Sequence, residues 1–333
     1  MFRNTYPKLA VIVMTAIICV AIFLQNCKTD PKKKTASTTG FATKRPQWVI
    51  PDTDELADIK NGQLIKYGRS LIVNTSYYLG PNGVVARKSN GLNCQSCHLN
   101  AGTKFLGNNF SLVATSYPKF KDRSGKIETI VKKVEDCFER SLNGKKIDSN
   151  GREMKAFVAY LEWVGKNVKN GTKPQGSGIE ELPFLSRAAD TLKGRIVYIS
   201  KCQICHGKNG EGVLNANELS YTYPPLWGVY SYNIGASIYR ISKFAGYVKN
   251  NMPFGADYKN RQLTDQEAWD VAAFVNSRYH PFKNINADWP NLFTKPYDNP
   301  FGPYEDQLFT ENQHKYGPFA PIKKYYASLI NKK

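Results

Sequence analysis

The chain has 333 residues and a formal charge of +19, from 46 Lys and Arg against 27 Asp and Glu. A hydrophobic content of 41% and an aromatic content of 13% exclude a disordered or low-complexity chain, and the length holds two domains with extensions. The positive excess fits plain solubility, attraction to a membrane surface, or a field that gathers small anions or an acidic partner; no nucleic-acid motif occurs, so nucleic acid is not an expected partner.

At the N-terminus Arg3 and Lys8 precede a charge-free apolar run over 9–24, the plan of a secretory signal. Its 16 residues fall short of the roughly 20 that a membrane-spanning helix needs. The run closes with Leu24-Gln25-Asn26-Cys27, which resembles the lipobox of bacterial lipoproteins, although Asn26 departs from the usual small residue. Cys27 is therefore a lipidation candidate; an uncleaved anchor helix and an incidental Cys in a cleaved signal are the alternatives. We assign 1–26 to a signal peptide or membrane segment and 27–51 to a flexible Lys/Thr-rich tether. The expected location is periplasmic or otherwise extracytoplasmic, with membrane association through the N-terminus.

The pentapeptide C-x-x-C-H then occurs twice, as Cys94-Gln95-Ser96-Cys97-His98 and Cys202-Gln203-Ile204-Cys205-His206. In an exported protein this is the attachment site of a c-type haem: the two thiols add to the porphyrin and the His becomes an iron ligand. A zinc site or a redox disulfide uses Cys-x-x-Cys as well. Zinc would need further Cys or His pairs at ligand spacing, and neither His280 nor His314 lies near another candidate ligand in the sequence. Two covalently bound haem c groups with iron are the expected cofactors.

Each motif sits in a stretch of one plan. In the first, a helix near 63–73 precedes Cys94, and a closing helix over 151–164 carries Met154, Phe157, Val158 and Leu161 on one face. In the second, a helix over 192–201 runs into the motif and a Tyr/Pro-rich loop follows. A helix over 236–249, the Asn251-Met252-Pro253 loop and a helix beginning at the capping box Thr264-Asp265-Gln266-Glu267 complete it. The fold class is therefore all-α, with two class I cytochrome c-like domains, each around a covalent haem, and an irregular C-terminal extension. The boundaries are 52–165 and 188–280 for the domains, 166–187 for the linker and 281–333 for the extension. The many aromatic rings between 289 and 319 are expected to pack over both domains, because such rings do not stay exposed.

Of the seven cysteines, four belong to the motifs, Cys19 lies in the apolar run and Cys27 follows it, leaving Cys137 alone. Cys137 is either an inert buried thiol or an iron ligand. Register favours the ligand: Met252 lies 46 residues after His206, and Cys137 lies 39 after His98. Met154, on an apolar helix stripe, reads as core. The ligand pairs are then His98/Cys137 for the first haem and His206/Met252 for the second. A thiolate lowers the potential of an iron, a thioether raises it, and a sulfur able to leave the metal points to chemistry on a sulfur substrate.

Several segments together resemble the dihaem thiosulfate dehydrogenases. They are Gly91-Leu92-Asn93-Cys94-Gln95-Ser96-Cys97-His98-Leu99 with Gly102-Thr103, Cys137-Phe138-Glu139-Arg140-Ser141-Leu142-Asn143-Gly144, Asn251-Met252-Pro253 and Gln313-His314-Lys315-Tyr316-Gly317-Pro318-Phe319. The resemblance implies oxidation of two thiosulfates to tetrathionate, or the reverse, at the Cys-ligated haem. The other haem would pass electrons to an external soluble or membrane-bound acceptor. It implies that Cys137 is the distal ligand and sulfur-adduct residue, that Arg123 helps to hold the anion, and that Ser141 supplies a hydrogen bond. Lys133 stands where the family commonly has Arg, keeping the charge but not the bidentate fork. Asn251 stands where some members have an exchangeable Lys ligand, which leaves plain His/Met ligation. Arg140 reads either as a substrate contact or as a partner of a haem propionate, and His314 as a structural residue that caps the site. Two other functions compete with this one: a non-catalytic dihaem electron carrier or oxidase-associated cytochrome c subunit, and a dihaem peroxidase, for which no distal acid/base set is evident.

Overall fold

The computed structural model describes residues 47–216 and 219–330. The apolar run, Cys27 and most of the tether lie outside these residues. Among the described residues no helix is long and apolar enough to cross a membrane.

The first lobe is built on α1 (Gly62–Val73), α2 (Ile130–Asp136) and α3 (Arg152–Gly165). The second is built on α4 (Thr191–Lys201), α5 (Ile241–Asn251) and α6 (Asp265–Asn276). Among the described residues, strands are confined to two antiparallel pairs, β1 (Lys119–Lys121) with β2 (Lys126–Glu128) and β3 (Val213–Leu214) with β4 (Tyr221–Tyr223). The all-α expectation therefore holds. Helix α6 starts where its capping signal puts it: the Thr264 hydroxyl accepts from the Glu267 amide while the Glu267 carboxylate accepts from the Thr264 amide.

Both lobes solve the same packing problem in the same way. The helix before each motif crosses the closing helix through a glycine. A Cβ on Gly68 of α1 would lie 2.0 Å from the Ala156 carbonyl oxygen of α3, and one on Gly194 of α4 would lie 1.9 Å from the Asp270 carbonyl oxygen of α6. Backbone-close crossings bring the apolar stripes of both helices onto one core. In the first lobe this core holds Leu71, Met154, Phe157 and Leu161, and in the second Val197, Tyr198, Trp269 and Phe274. Met154 is thus a core residue, as its stripe position predicts.

The linker is packed rather than loose. Leu182 is buried in the second core, the Trp269 indole donates to the Pro183 carbonyl (3.0 Å), and the Asn109 amide donates to the Gly176 carbonyl (2.7 Å). The lobes also touch directly. The Tyr247 hydroxyl donates to the Ser96 carbonyl (3.1 Å), inside the first motif, and the Asn251 amide donates to the Leu106 carbonyl (3.1 Å).

The C-terminal extension is irregular to residue 310 and then forms α7 (Glu311–Tyr316) and α8 (Phe319–Ile330). Phe319 and Ile322 enter the second core, whereas Trp289 donates its amide to the Arg123 carbonyl of the first lobe (2.7 Å). His314 is fully buried inside the extension itself. Its ring stacks on Tyr304 at 3.6 Å, and Nε2 lies 3.3 Å from Asp306.

The glycine crossings yield a direct expectation. Gly194→Ala forces a methyl into the α6 backbone and is expected to destabilise the protein by about 1–3 kcal/mol, the usual range for overpacking. Thermal unfolding followed by circular dichroism measures this, and an unchanged midpoint refutes the crossing argument.

Candidate active site

Helix α2 does not simply end. At Cys137 it widens into a π-turn over Cys137–Ser141, closed by an i→i+5 bond from the Leu142 amide to the Cys137 carbonyl (2.9 Å). Such turns re-aim side chains without breaking a helix, and they are frequent at functional sites. Lys133, Cys137 and Ser141 follow one another at four-residue steps, and all three line a single cavity.

That cavity has about 650 Å³ of empty space, part of it open to solvent. Its other walls are apolar, with Ile72, Leu92, Phe110, Phe157 and Leu161 among them, and Cys94, Cys97 and His98 open onto it. His98 Nδ1–H donates to the Asn108 carbonyl, which fixes the tautomer and leaves the Nε2 lone pair free for a metal. Burial lowers the His98 imidazole to about 4, so it is neutral at physiological pH. A larger cavity of about 1560 Å³ is walled mainly by the second lobe and partly by residues 92–100 of the first, and Cys202, Cys205, His206 and Met252 open onto it. His206 repeats the arrangement: Nδ1–H donates to the Pro224 carbonyl (2.8 Å), and burial lowers its pKa.

These residues fit a covalently held haem in both places. The imidazoles are oriented as iron ligands, the walls suit an apolar macrocycle, and the five described cysteines are all unpaired. Burial pushes the Cys94, Cys97 and Cys202 thiols up to about 12. Such surroundings disfavour the thiolates that zinc needs and accept the neutral sulfur of a thioether. Among the described residues no group of three or more His, Cys, Asp or Glu converges as a bare-metal site.

Charge around Cys137 is distributed unevenly. Lys133 has no carboxylate partner at ion-pair distance among the described residues. Electrostatic interaction with Cys137 raises the Lys133 pKa, against the opposing effect of burial, so Lys133 is an ammonium. Arg123 lies on a neighbouring cleft rather than on the Cys137 cavity, and its guanidinium pairs with Asp136 at 2.6 Å. Lys132 reaches the other oxygen of Asp136 at 2.5 Å. Burial works against the charge on Asp136, but Lys132 and Arg123 hold the carboxyl below its ordinary value.

Arg140 is placed differently from either expectation. It lines neither cavity, because both of its terminal nitrogens are taken by Asp288 of the extension, at 2.7 Å each. A further bond reaches the Gly235 carbonyl of the second lobe (3.2 Å). Its partner lies 148 residues away, so no local pattern could have revealed this role. Asn251, beside Met252, spends its amide on the Leu106 and Tyr247 carbonyls.

Residues 85–169 match the SoxA/TsdA cytochrome c domain, and residues 192–278 match the cytochrome c domain. The thiosulfate dehydrogenase of Psychrobacter arcticus is 36% identical over 258 residues, covering 77% of this chain and 76% of that protein. The chain belongs to the thiosulfate dehydrogenase family. The family member from Allochromatium vinosum is 36% identical over 236 residues, covering 70% of this chain and 84% of its own. A solved thiosulfate dehydrogenase structure, TsdBA from Marichromatium purpuratum, superposes with a TM-score of 0.65 at 28% identity. It matches 72% of this chain, which spans half of that longer one. As a member of this family with two cytochrome c domains, the protein is an oxidoreductase carrying covalently bound haem c.

The placement of Arg140 makes a prediction that separates scaffold from chemistry. Arg140→Ala leaves Asp288 buried and unpaired, and is expected to cost about 3–5 kcal/mol, as for other broken buried pairs. Chemical denaturation measures the loss. Restoration by the double variant Arg140→Met/Asp288→Leu supports a tie, and failure of that restoration speaks against it.

Proposed function

We propose that this protein interconverts two thiosulfate dianions and one tetrathionate dianion, by oxidation or by the reverse reduction, and that Cys137 is its reactive residue. The observation that carries the reading is the helix face on which Lys133, Cys137 and Ser141 stand in the His98 cavity, where the second lobe offers Met252 with His206. His98 and Cys137 would hold the iron of one haem, attached through Cys94 and Cys97. His206 and Met252 would hold that of a second, attached through Cys202 and Cys205. Bound there, the two groups supply one-electron acceptors.

The chain's own contribution is positional and electrostatic. Joining two thiosulfates forms one sulfur–sulfur bond between their terminal sulfurs and releases two electrons and no proton. The barrier is therefore charge repulsion rather than proton transfer. Lys133 fixes a positive charge beside Cys137 in a largely apolar enclosure, where it acts with little screening. The Ser141 hydroxyl faces the same space as a hydrogen-bond donor to a sulfonate oxygen. Lys133 serves as a point charge, without the two-pronged hold an Arg would give.

Electrons would leave by the second lobe to an external acceptor, soluble or membrane-bound. There Ile204, inside the motif, is 90% exposed, and Phe254, after Met252, is 84% exposed. The same reading puts the protein outside the cytoplasm, supported by the apolar run over 9–24 and by haem c attachment; Cys27, outside the described residues, would be its lipid anchor.

Steady-state assays of the purified holoprotein, with thiosulfate and separately with tetrathionate plus a reductant, test the activity. Cys137→Gly is expected to keep its covalent haem and to lose activity by about a hundredfold or more, as when a nucleophile is removed. The wild type should show a low-spin ferric thiolate signature that this variant lacks. If the variant keeps full thiosulfate-dependent electron transfer, the protein is an electron carrier and Cys137 is not its reactive residue.

A further inference from the structure

Beside the Cys137 cavity lies a second, polar cleft of about 930 Å³. Three segments remote in sequence form it: the β1–β2 hairpin with α2, residues 234–240 of the second lobe, and residues 285–301 of the extension. Lys133 belongs to the walls of both spaces.

The charges on the cleft are unbalanced. Lys121, Arg123, Lys133 and Arg240 line it, against Asp122 and Asp288. Both oxygens of Asp288 are already taken by Arg140. Arg123 and Arg240 are each locked by a carboxylate behind them, Asp136 and Asp298, which fixes the guanidinium orientation without using every N–H. Lys121 and Lys133 have no carboxylate at ion-pair distance among the described residues. Glu128 acts on Lys121 from a distance as an opposing charge, and its carboxylate accepts from the Ser124 hydroxyl (2.7 Å). Burial, and then repulsion from Lys133, Lys119 and Arg123, lower the Lys121 pKa. Asp122, at the exposed edge of the cleft, is the one lining carboxylate with no ion-pair partner among the described residues, so the cations still outnumber the available carboxylates and the remaining counter-charge is left to a ligand.

We propose that this cleft is the docking subsite for the second thiosulfate dianion, anchored by the Lys121 ammonium. The proposal rests on the thiosulfate-oxidising reading above and divides its substrates between two places. One dianion reacts at Cys137. The other waits in the cleft, and Lys133 between them screens each from the other. Tetrathionate, with a sulfonate at each end, spans both spaces once the bond has formed. The sequence holds no local sign of the subsite, because Arg240 and the extension join Lys121 only in the folded chain. Arg123 holds a place in the cleft wall, which gives the role implied for it by resemblance a location beside the Cys137 cavity rather than in it.

The test uses the oxidised holoprotein and sulfate, a dianion that cannot be oxidised. Calorimetric titration is expected to show sulfate binding to the wild type. Lys121→Gln should weaken it about fivefold and Lys121→Arg should restore it, as for one partly buried charge. In turnover, Lys121→Gln should raise the thiosulfate concentration for half-maximal rate by a similar factor, with kcat changed by less than about twofold, the pattern of lost binding rather than lost chemistry. Unfolding curves confirm that the variants fold. Wild-type sulfate affinity in Lys121→Gln, or no sulfate binding by the wild type, overturns the subsite even if thiosulfate is oxidised. Lys121-dependent sulfate binding in a wild type that does not oxidise thiosulfate overturns the substrate assignment together with the proposed function.

Discussion

Two helices that meet at a glycine are the constraint on which each lobe depends. A stretch of about a hundred residues has little apolar surface to bury, and a small domain that must also wall a large cavity has less still. Bringing backbones into contact at Gly68 and Gly194 recovers some of that deficit, because close helices share their side-chain layers. The crossing also decides where each C-x-x-C-H motif falls. In the second lobe the motif leaves the end of the crossing helix directly, and in the first it follows a longer connection, residues 74–93, that contains the short helix Thr75–Leu79. In both lobes the motif histidine then faces the cavity beneath the crossing.

A second theme is how few carboxylates this basic chain has, and where it spends them. Asp136, Asp288 and Asp298 are all largely buried, and each is committed to an arginine. None of them neutralises a cation at random. Asp288 ties the extension to the first lobe through Arg140, whereas Asp136 and Asp298 stand behind arginines that face the cleft. Buried pairs of this kind contribute little net stability, because desolvation offsets attraction. Their value here is geometric, since they hold charges still. The lysines left without such partners, Lys121 and Lys133, stand where anions are expected to bind.

Much of the architecture was legible in the sequence because local signals carry it. Thr264 announces α6 through its capping box, and the stripe at Met154, Phe157 and Leu161 announces α3. The motifs announce their own histidines, and the matching slots of Cys137 and Met252 follow from counting along the chain. What was not legible depends on tertiary contact. The π-turn that starts at Cys137 has no composition of its own, since Cys-Phe-Glu-Arg-Ser would continue an ordinary helix. The engagement of Arg140 by Asp288 could not be read, because arginine beside a reactive residue looks the same whether it faces substrate or scaffold. The separation of Arg123 from the Cys137 cavity was hidden for a similar reason: adjacency in sequence says nothing of which wall a side chain joins.

The cleft's composite construction has a thermodynamic consequence. No single lobe contains it, so a dianion that binds there binds only the assembled molecule, and its affinity adds to the free energy holding the three segments together. Anion concentration then acts on cohesion as well as on occupancy. With the site filled, the extension and the second lobe should open against the first less often, and the amides along residues 285–301 should exchange with solvent more slowly. The extension is thereby a fastening whose grip is set by the chemistry of the medium.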